Sequence, residues 1–331
     1  MGAGGSRFKS GCPDLFMTTT EAVFNRTHTP ADVEKFTLVE GTRAAVSRPQ
    51  KAPFPFTSLV ACANLGQFFD GSVLLEVQVS NGFLWSPFFK LGLVSESFHK
   101  SFSAQDNDWG SVKIDELVLN KPAHYYRLRV RMEGKVPLLS LGISGACKTA
   151  EYNEETASQL PAGFFEKEVW PISQKEQATP DSMRICSPVS VCMALNALGR
   201  PVVISQVLQN VYDPASDIFG NWFFNTAYAS RQGLDVHFWR FNSLSELADY
   251  CTPNSLVAAS IAYEENELSG AAQPKTQGHF VLIRGWKDGR VLVADPAAET
   301  AREVLRSYDA KQFARAWLKN KQGAAYTFKK R

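Results

Sequence analysis

The stretch Arg184-Ile185-Cys186-Ser187-Pro188-Val189-Ser190-Val191-Cys192-Met193 constrains the fold more than any other, because it opens a helix with almost no polar face. Pro188 suits a first helical turn, where its missing N–H would be unpaired anyway, and Gly199 followed by Pro201 supplies a stop. Between them Val189, Val191, Met193, Ala194, Leu195, Ala197 and Leu198 leave the helix apolar nearly all round, so it belongs inside a domain. Cys186 then sits at the positive end of that helix, where open N–H groups and the helix dipole favour a nucleophilic thiolate. The alternative is a buried structural cysteine, a common state of free thiols.

A chain of 331 residues with 44% hydrophobic content can bury two ordinary cores, which sets an expectation of two domains. Charge is nearly balanced, 35 basic against 33 acidic residues, so nucleic acid is not an expected partner. The six cysteines form no Cys-x-x-Cys pair, which argues against a zinc or thioredoxin-like site. No cofactor or metal is expected. Cys186 and Cys192 would lie on different helical faces, so a disulfide between them is not expected. No apolar run reaches the roughly 18 residues of a membrane span, and residues 1–11 lack a signal-peptide core. Residues 1–20 read as a flexible lead-in or an expression scar. If a natural leader stood there, the location is secreted or cell-envelope, and otherwise cytoplasmic.

Residues 21–150 carry β signals at 72–79, 85–89, 112–119 and 125–132, several alternating apolar with polar residues. Asn81-Gly82, 108–110 and Glu133-Gly134 supply turns, and the spacing fits an antiparallel β-sandwich. Its crowded aromatics, Phe54, Phe56, Phe68, Phe69, Phe83, Trp85, Phe88 and Phe89, read as core packing, with a ligand-gripping face as the alternative. His99 and His124 stand apart from any carboxylate or cysteine cluster and read as solvated or structural. The polar stretch 151–165 reads as a linker. The expected elements of 166–331 are a strand at 168–172, the buried helix and a helix at 204–211. An aromatic turn at 219–228, a strand at 235–241, a helix at 243–250 capped by Ser243 and Glu246, and a strand at 255–263 follow. This is an α+β arrangement, because the later elements are mostly strands joined by hairpins.

The last hairpin runs from Gln277-Gly278-His279 through a strand at 280–286, a turn at 287–290 and a return strand to Asp295-Pro296. Pairing Trp286 with Val291 sets His279 against Ala298 and Asp295 against Leu282, so the two meet only with help from a bulge or twist. A thiol nucleophile needs a base, a group to orient that base, and oxyanion donors. Cys186, His279 and Asp295 can fill the first three positions. Gln174 or its rival Gln177, with the backbone N–H of Cys186, can supply the donors. Each also has a plain reading, His279 as structural and Asp295 as a turn opener.

The ordered set PISQ (171–174), CSPVSVCM (186–193), FGNWFFNTAYA (219–229), GHFVLIRGW (278–286) and VLVADPAA (291–298) resembles the bacteriocin-processing, double-glycine-peptidase-like cysteine peptidases of the papain fold. The resemblance covers about 170–326 and implies a bacterial thiol protease domain with Gln174, Cys186, His279 and Asp295 as oxyanion donor, nucleophile, base and orienter. It also implies that Asn221, Trp222 and Gly278 line a substrate cleft. Ser187 stands where leader peptidases commonly have glycine, implying a changed approach of the substrate backbone, and no transporter parts are present. Hydrolysis of a peptide or isopeptide bond in a peptide or protein substrate is the expected activity. An acyl or peptidyl transferase and a catalytically silent adaptor are the alternatives. The N-terminal domain is expected to position substrate or to bind a glycan or other cell-envelope component.

Overall fold

The computed structural model describes residues 23–29, 33–39, 42–96, 98–103, 105–147 and 151–331; the expected lead-in at 1–20 lies outside them. Eleven strands come first: β1 (Val23–His28), β2 (Val33–Val39), β3 (Thr42–Ser47), β4 (Gln50–Leu65), β5 (Gly71–Ser80), β6 (Phe89–Ser95), β7 (His99–Ser101), β8 (Asp106–Asn107), β9 (Gly110–Lys113), β10 (Glu116–Gly134) and β11 (Leu138–Ala146). They form one connected antiparallel sheet in the order β1-β11-β4-β10-β5-β6-β7, with β3 and β9 also paired to β10, β2 to β3, and β8 to β9. Long β4 and β10 join what separate sheets of a sandwich would divide. The start of β10 pairs with β9 and β4, and its end, from Tyr125 to Gly134, pairs with β5. Leu117, Leu119, Ala123, Tyr126, Leu128, Val130 and Met132 of β10 are buried, close to the period-two pattern of a half-covered strand.

The strand expected at 112–119 is two strands, split at Ile114-Asp115, with Ile114 at φ 65°. No glycine or asparagine announces that turn. Asp115 is held instead from the far half of the chain, by the Trp222 backbone N–H. The expected 85–89 strand begins only at Phe89, with Trp85 making a single bridge to Ser80.

The second half carries α1 (Glu154–Ala157), β12 (Phe165–Glu166), α2 (Cys186–Ala197), α3 (Ile204–Val211), α4 (Trp222–Arg231), β13 (Leu234–Trp239), α5 (Leu247–Tyr250), β14 (Ser255–Tyr263), β15 (Thr276–Lys287), β16 (Arg290–Ala294), β17 (Leu305–Asp309), α6 (Ala310–Ala314) and β18 (Ala325–Lys330). Its strands order as β13-β18-β14-β15-β16-β17, with β12 on β15, and α2 packs against β15. Antiparallel sheets with helices laid on them make the chain α+β. Residues 168–172 form no strand, and the expected linker is packed: α1 buries Ala157, and Glu154 takes Arg315 at 2.8 Å.

The expected aromatic turn at 219–228 is largely α4. Asn221 caps it by accepting from the Phe224 N–H at 3.1 Å, and the Asp115 carboxylate accepts from the Trp222 N–H, so two of its open donors are filled. The helix is buried on nearly all sides. Phe223, Phe224 and Ala227 sit in the core of the first sheet, while Tyr228 and Ala229 sit in the core around α2. Gly92 of β6 permits this approach, since a Cβ there would lie 2.7 Å from the Phe223 ring.

Strand β13 also crosses to the first sheet. Asn64 of β4 donates to the Val236 carbonyl at 2.9 Å and accepts from the Val236 N–H at 2.7 Å. Arg240, only 2% exposed, donates to Glu116 at 2.7 Å and to the Ser144 carbonyl at 3.1 Å, so its buried charge is paired. His99, buried, bonds the Asn210 carbonyl as a structural group. Phe223→Ala should therefore destabilise both halves together by about 3–5 kcal/mol. Urea unfolding followed by fluorescence and by far-UV circular dichroism should then shift as one transition.

Candidate active site

Cys186 is the first residue of α2, its N-cap Ile185 makes no side-chain cap bond, and the Ser187 backbone in the first turn lowers the pKa of the thiol. The loop in front is clamped by Arg184, which donates to Asp181 at 2.8 Å and to Asp217 at 2.7 Å. Ser190, one turn further, donates to the Phe280 carbonyl at 3.2 Å and so ties α2 to the strand that carries His279.

His279 is buried in β15, and Asp295 follows β16 with no exposure at all. Trp286 pairs with Val291 as the hairpin pattern requires, but the register shifts between Ile283 and Gly285, which sets Leu282 opposite Ala294. The shift comes where β12 pairs with β15: a Cβ on Gly285 would lie 1.9 Å from the Phe165 carbonyl oxygen. Past the end of β16, Asp295 turns back, and His279 Nε2 meets its Oδ1 at 2.7 Å. That leaves Nδ1 of the ring uncommitted to Asp295, and His279 acts on the Cys186 thiol by lowering its pKa.

The electrostatics follow from burial and pairing. Burial pushes the Cys186 thiol up, but the hydrogen bond and charge of His279, with the Phe280 and Ser187 backbone, outweigh it and hold the pKa below the usual thiol value. Burial pushes His279 down, and Asp295 with Cys186 outweighs it, so the ring stays protonated above its ordinary range. Asp295 is held low, against its burial, by His279, by Tyr308 and by the Ala297 N–H. A thiolate–imidazolium pair is the state this arrangement favours.

Gln174 is 3% exposed; its N–H donates to the Pro296 carbonyl at 2.8 Å, and its side-chain Oε1 is buried without a partner. Ser173 beside it donates to the Ala298 carbonyl at 2.6 Å, so this loop is stitched to the segment that follows Asp295. Gln177, by contrast, spends its amide on the Ser173 carbonyl at 2.7 Å. Ser187 turns inward, 2% exposed, to meet the Tyr326 hydroxyl at 3.0 Å, and does not present its side chain to a cleft. Asn221 is fully buried, its oxygen capping α4 and its amide reaching Asp213 at 3.4 Å. Trp222 stacks on Phe238 with centroids 4.3 Å apart. Gly278 is exposed beside His279, its N–H on Thr276 Oγ1 at 3.1 Å. Among the described residues no group of three or more His, Cys, Asp and Glu could hold a metal ion.

Tyr308 of β17 was not visible as a site residue. It is wholly buried and donates to the second oxygen of Asp295 at 2.6 Å, so the carboxylate is held from both sides. Its only sequence signal is a tyrosine inside an otherwise polar strand, LRSYD. Tyr308→Phe leaves Asp295 Oδ2 buried without a donor, which should cost about 1–3 kcal/mol of stability. It should also slow alkylation of Cys186 at mildly acidic pH several-fold. Thermal unfolding and a timed iodoacetamide mass shift measure the two effects.

Residues 166–325 match the model of a family described as the Peptidase_C39 like family, just under half of the chain. No curated protein matches the sequence. Among solved structures, a double glycine motif protease from an AMS/PCAT transporter, in complex with the leader peptide, is 19% identical over 52% of this chain and 97% of that one, with a TM-score of 0.34. The peptidase domain of Streptococcus ComA, a bifunctional ABC transporter involved in quorum sensing, is 11% identical over 50% of this chain and 99% of that one, at 0.36. A C39-like peptidase from Bacillus anthracis is 14% identical over 51% and 98%, at 0.39. The stretch 166–325, which holds Cys186, His279 and Asp295, is thus similar to the Peptidase_C39 like family.

Proposed function

We propose that the protein hydrolyses a peptide or isopeptide bond through an acyl-thioester on Cys186. The observation that carries this reading is the buried His279–Asp295 bond of 2.7 Å, together with a Cys186 at a helix start whose pKa His279 lowers. The thiolate attacks the carbonyl carbon, and the carbon–oxygen π pair moves onto oxygen. The Gln174 amide and the Cys186 N–H are the donors for that oxyanion. As the C–N bond breaks, the imidazolium of His279 gives its proton to the departing amine. The neutral ring then takes a proton from water, whose oxygen adds to the thioester carbon. The thiolate leaves as the carboxylic acid is released, and His279 is again protonated. Asp295, fixed by Tyr308 and the Ala297 N–H, holds the ring in one orientation throughout.

The pKa directions set the pH profile. Because the thiol is lowered and the imidazole raised, the ion pair should form below the pH at which an ordinary thiol ionises and persist above the usual imidazole range. Alkylation of Cys186 by iodoacetamide at about pH 6 should be at least ten times faster than that of an ordinary thiol of pKa about 8.5. His279→Ala should abolish that advantage, and equal rates in the two proteins would overturn the pairing.

The activity itself is tested on a mixed peptide library read by mass spectrometry. Cleavage by the wild type should be lost by at least about a thousandfold in Cys186→Ala. Added hydroxylamine should divert the acyl group into hydroxamates. Cleavage that survives in Cys186→Ala would sink the proposal. Products that appear only when an amine is added would replace hydrolysis with transfer.

A further inference from the structure

The first half of the chain carries a surface that the peptidase chemistry does not use. Four of the aromatics that crowd its sequence, Phe54, Phe56, Phe68 and Phe89, are buried in the core. The others are not. Phe83 is 93% and Leu84 67% exposed, at the tip between β5 and β6. The tip is built to hold them out: the Asn81 side-chain oxygen accepts from the N–H groups of both Phe83 and Leu84 at 3.0 Å, and Ser80 Oγ accepts from the Gly82 N–H at 3.0 Å.

Cross-strand register places a set of cations on the sheet face beside that tip. Residues directly opposite in an antiparallel pair share a face, and so do alternate residues of one strand. Tyr125 is opposite both Ser80 and Lys51, and Arg127, Arg129 and Arg131 follow it on the same side of β10. Glu76 is opposite both Arg129 and Lys90, which brings Lys90 onto this face as well. A Cβ on Gly82 would lie 3.8 Å from the Tyr125 ring, so the tip leans over the same side. Trp85 and Phe88 lie against the cations, with the Arg127 guanidinium 4.8 Å from the Trp85 ring and that of Arg129 3.7 Å from Phe88. These stacks stiffen the arginine side chains where they stand.

The charge balance of the face is one-sided. Segments 42–69, 77–95 and 117–132, which supply all of it but Glu76 and Glu133, contain no Asp or Glu. Glu76 is 1% exposed and already engages Arg129 at 2.6 Å and Arg131 at 3.0 Å. Five cations therefore face two carboxylates, Glu76 and Glu133, in a protein whose overall charge is close to balance. A flat basic face beside a rigid, protruding Phe-Leu pair is complementary to a surface that offers anionic headgroups above an apolar layer. Headgroups attract the cations, and the two side chains gain burial among the acyl chains.

We propose that this face, with the Phe83-Leu84 tip, docks the protein on an anionic lipid surface. The inference does not rest on the catalytic reading, and Cys186→Ala should bind as the wild type does. Flotation of the full chain with phosphatidylcholine vesicles containing about 30% phosphatidylglycerol should show binding that falls steeply with salt. Vesicles of pure phosphatidylcholine should bind at least about tenfold less. The exposed pair Phe83→Ser with Leu84→Ser, and separately Lys51→Glu with Lys90→Glu, should each weaken binding at least about tenfold without moving the thermal unfolding midpoint. Equal binding to neutral and anionic vesicles, or wild-type binding by either double variant, would overturn the proposal. So would retention on heparin without vesicle binding, which would point to an anionic polysaccharide.

Discussion

One helix serves two cores. Phe223, Phe224 and Ala227 of α4 are packed into the first sheet, and Tyr228 and Ala229 of the same helix are packed around α2. A ten-residue helix cannot hold itself together in water and draws its stability from what covers it. Here the cover comes from both halves. The first sheet also supplies the Asp115 carboxylate at the helix start, and β13, which follows α4, is bonded to Asn64 and Arg240 is paired with Glu116. Two sequence regions that look like separable domains are thus joined through shared burial and through polar groups that would be unpaired if they parted.

The candidate site depends on a second burial problem, that of Asp295. A carboxylate with no exposure is costly unless every lone pair has a donor. His279 and the Ala297 N–H reach one oxygen and the Tyr308 hydroxyl the other. The imidazole this fixes lowers the pKa of the thiol, and its charge offsets the penalty of burying a thiolate. The Ser187 backbone in the first turn of α2 acts in the same direction. The lowered pKa of Cys186 therefore depends on three elements, α2, β15 and the segment after β16.

Much of this was legible before folding. The buried helix of Cys186, the α3 helix, β14 and the final hairpin have strong local signals: proline and glycine boundaries, apolar runs of the right length, and a turn of Lys-Asp-Gly-Arg. The Ser243–Glu246 cap is also present, with the Ser243 N–H bonded to Glu246 at 2.9 Å. What was not legible had its cause far away in the chain. The 219–228 segment read as a turn because short aromatic runs have no decisive periodicity, and its helix exists between two surfaces that sequence spacing does not reveal. The break at Ile114-Asp115 carries no turn residue because the partner that holds it is Trp222. Tyr308 lacked any motif because its role is a single hydroxyl direction.

The sequence by itself determined the chemical types and their order: a thiol at a helix start, a histidine at a strand start, an aspartate before proline, and a glutamine ahead of them all. Those follow from local rules of helix ends, strand periods and side-chain chemistry. Only the tertiary structure decided that they meet. The one-residue register shift where β12 pairs with Gly285, and the turn past β16, bring Asp295 to His279, because side-chain distance is set by register. It also set the two glutamines apart, leaving the Gln174 side-chain oxygen without a partner and the Gln177 amide on a backbone carbonyl.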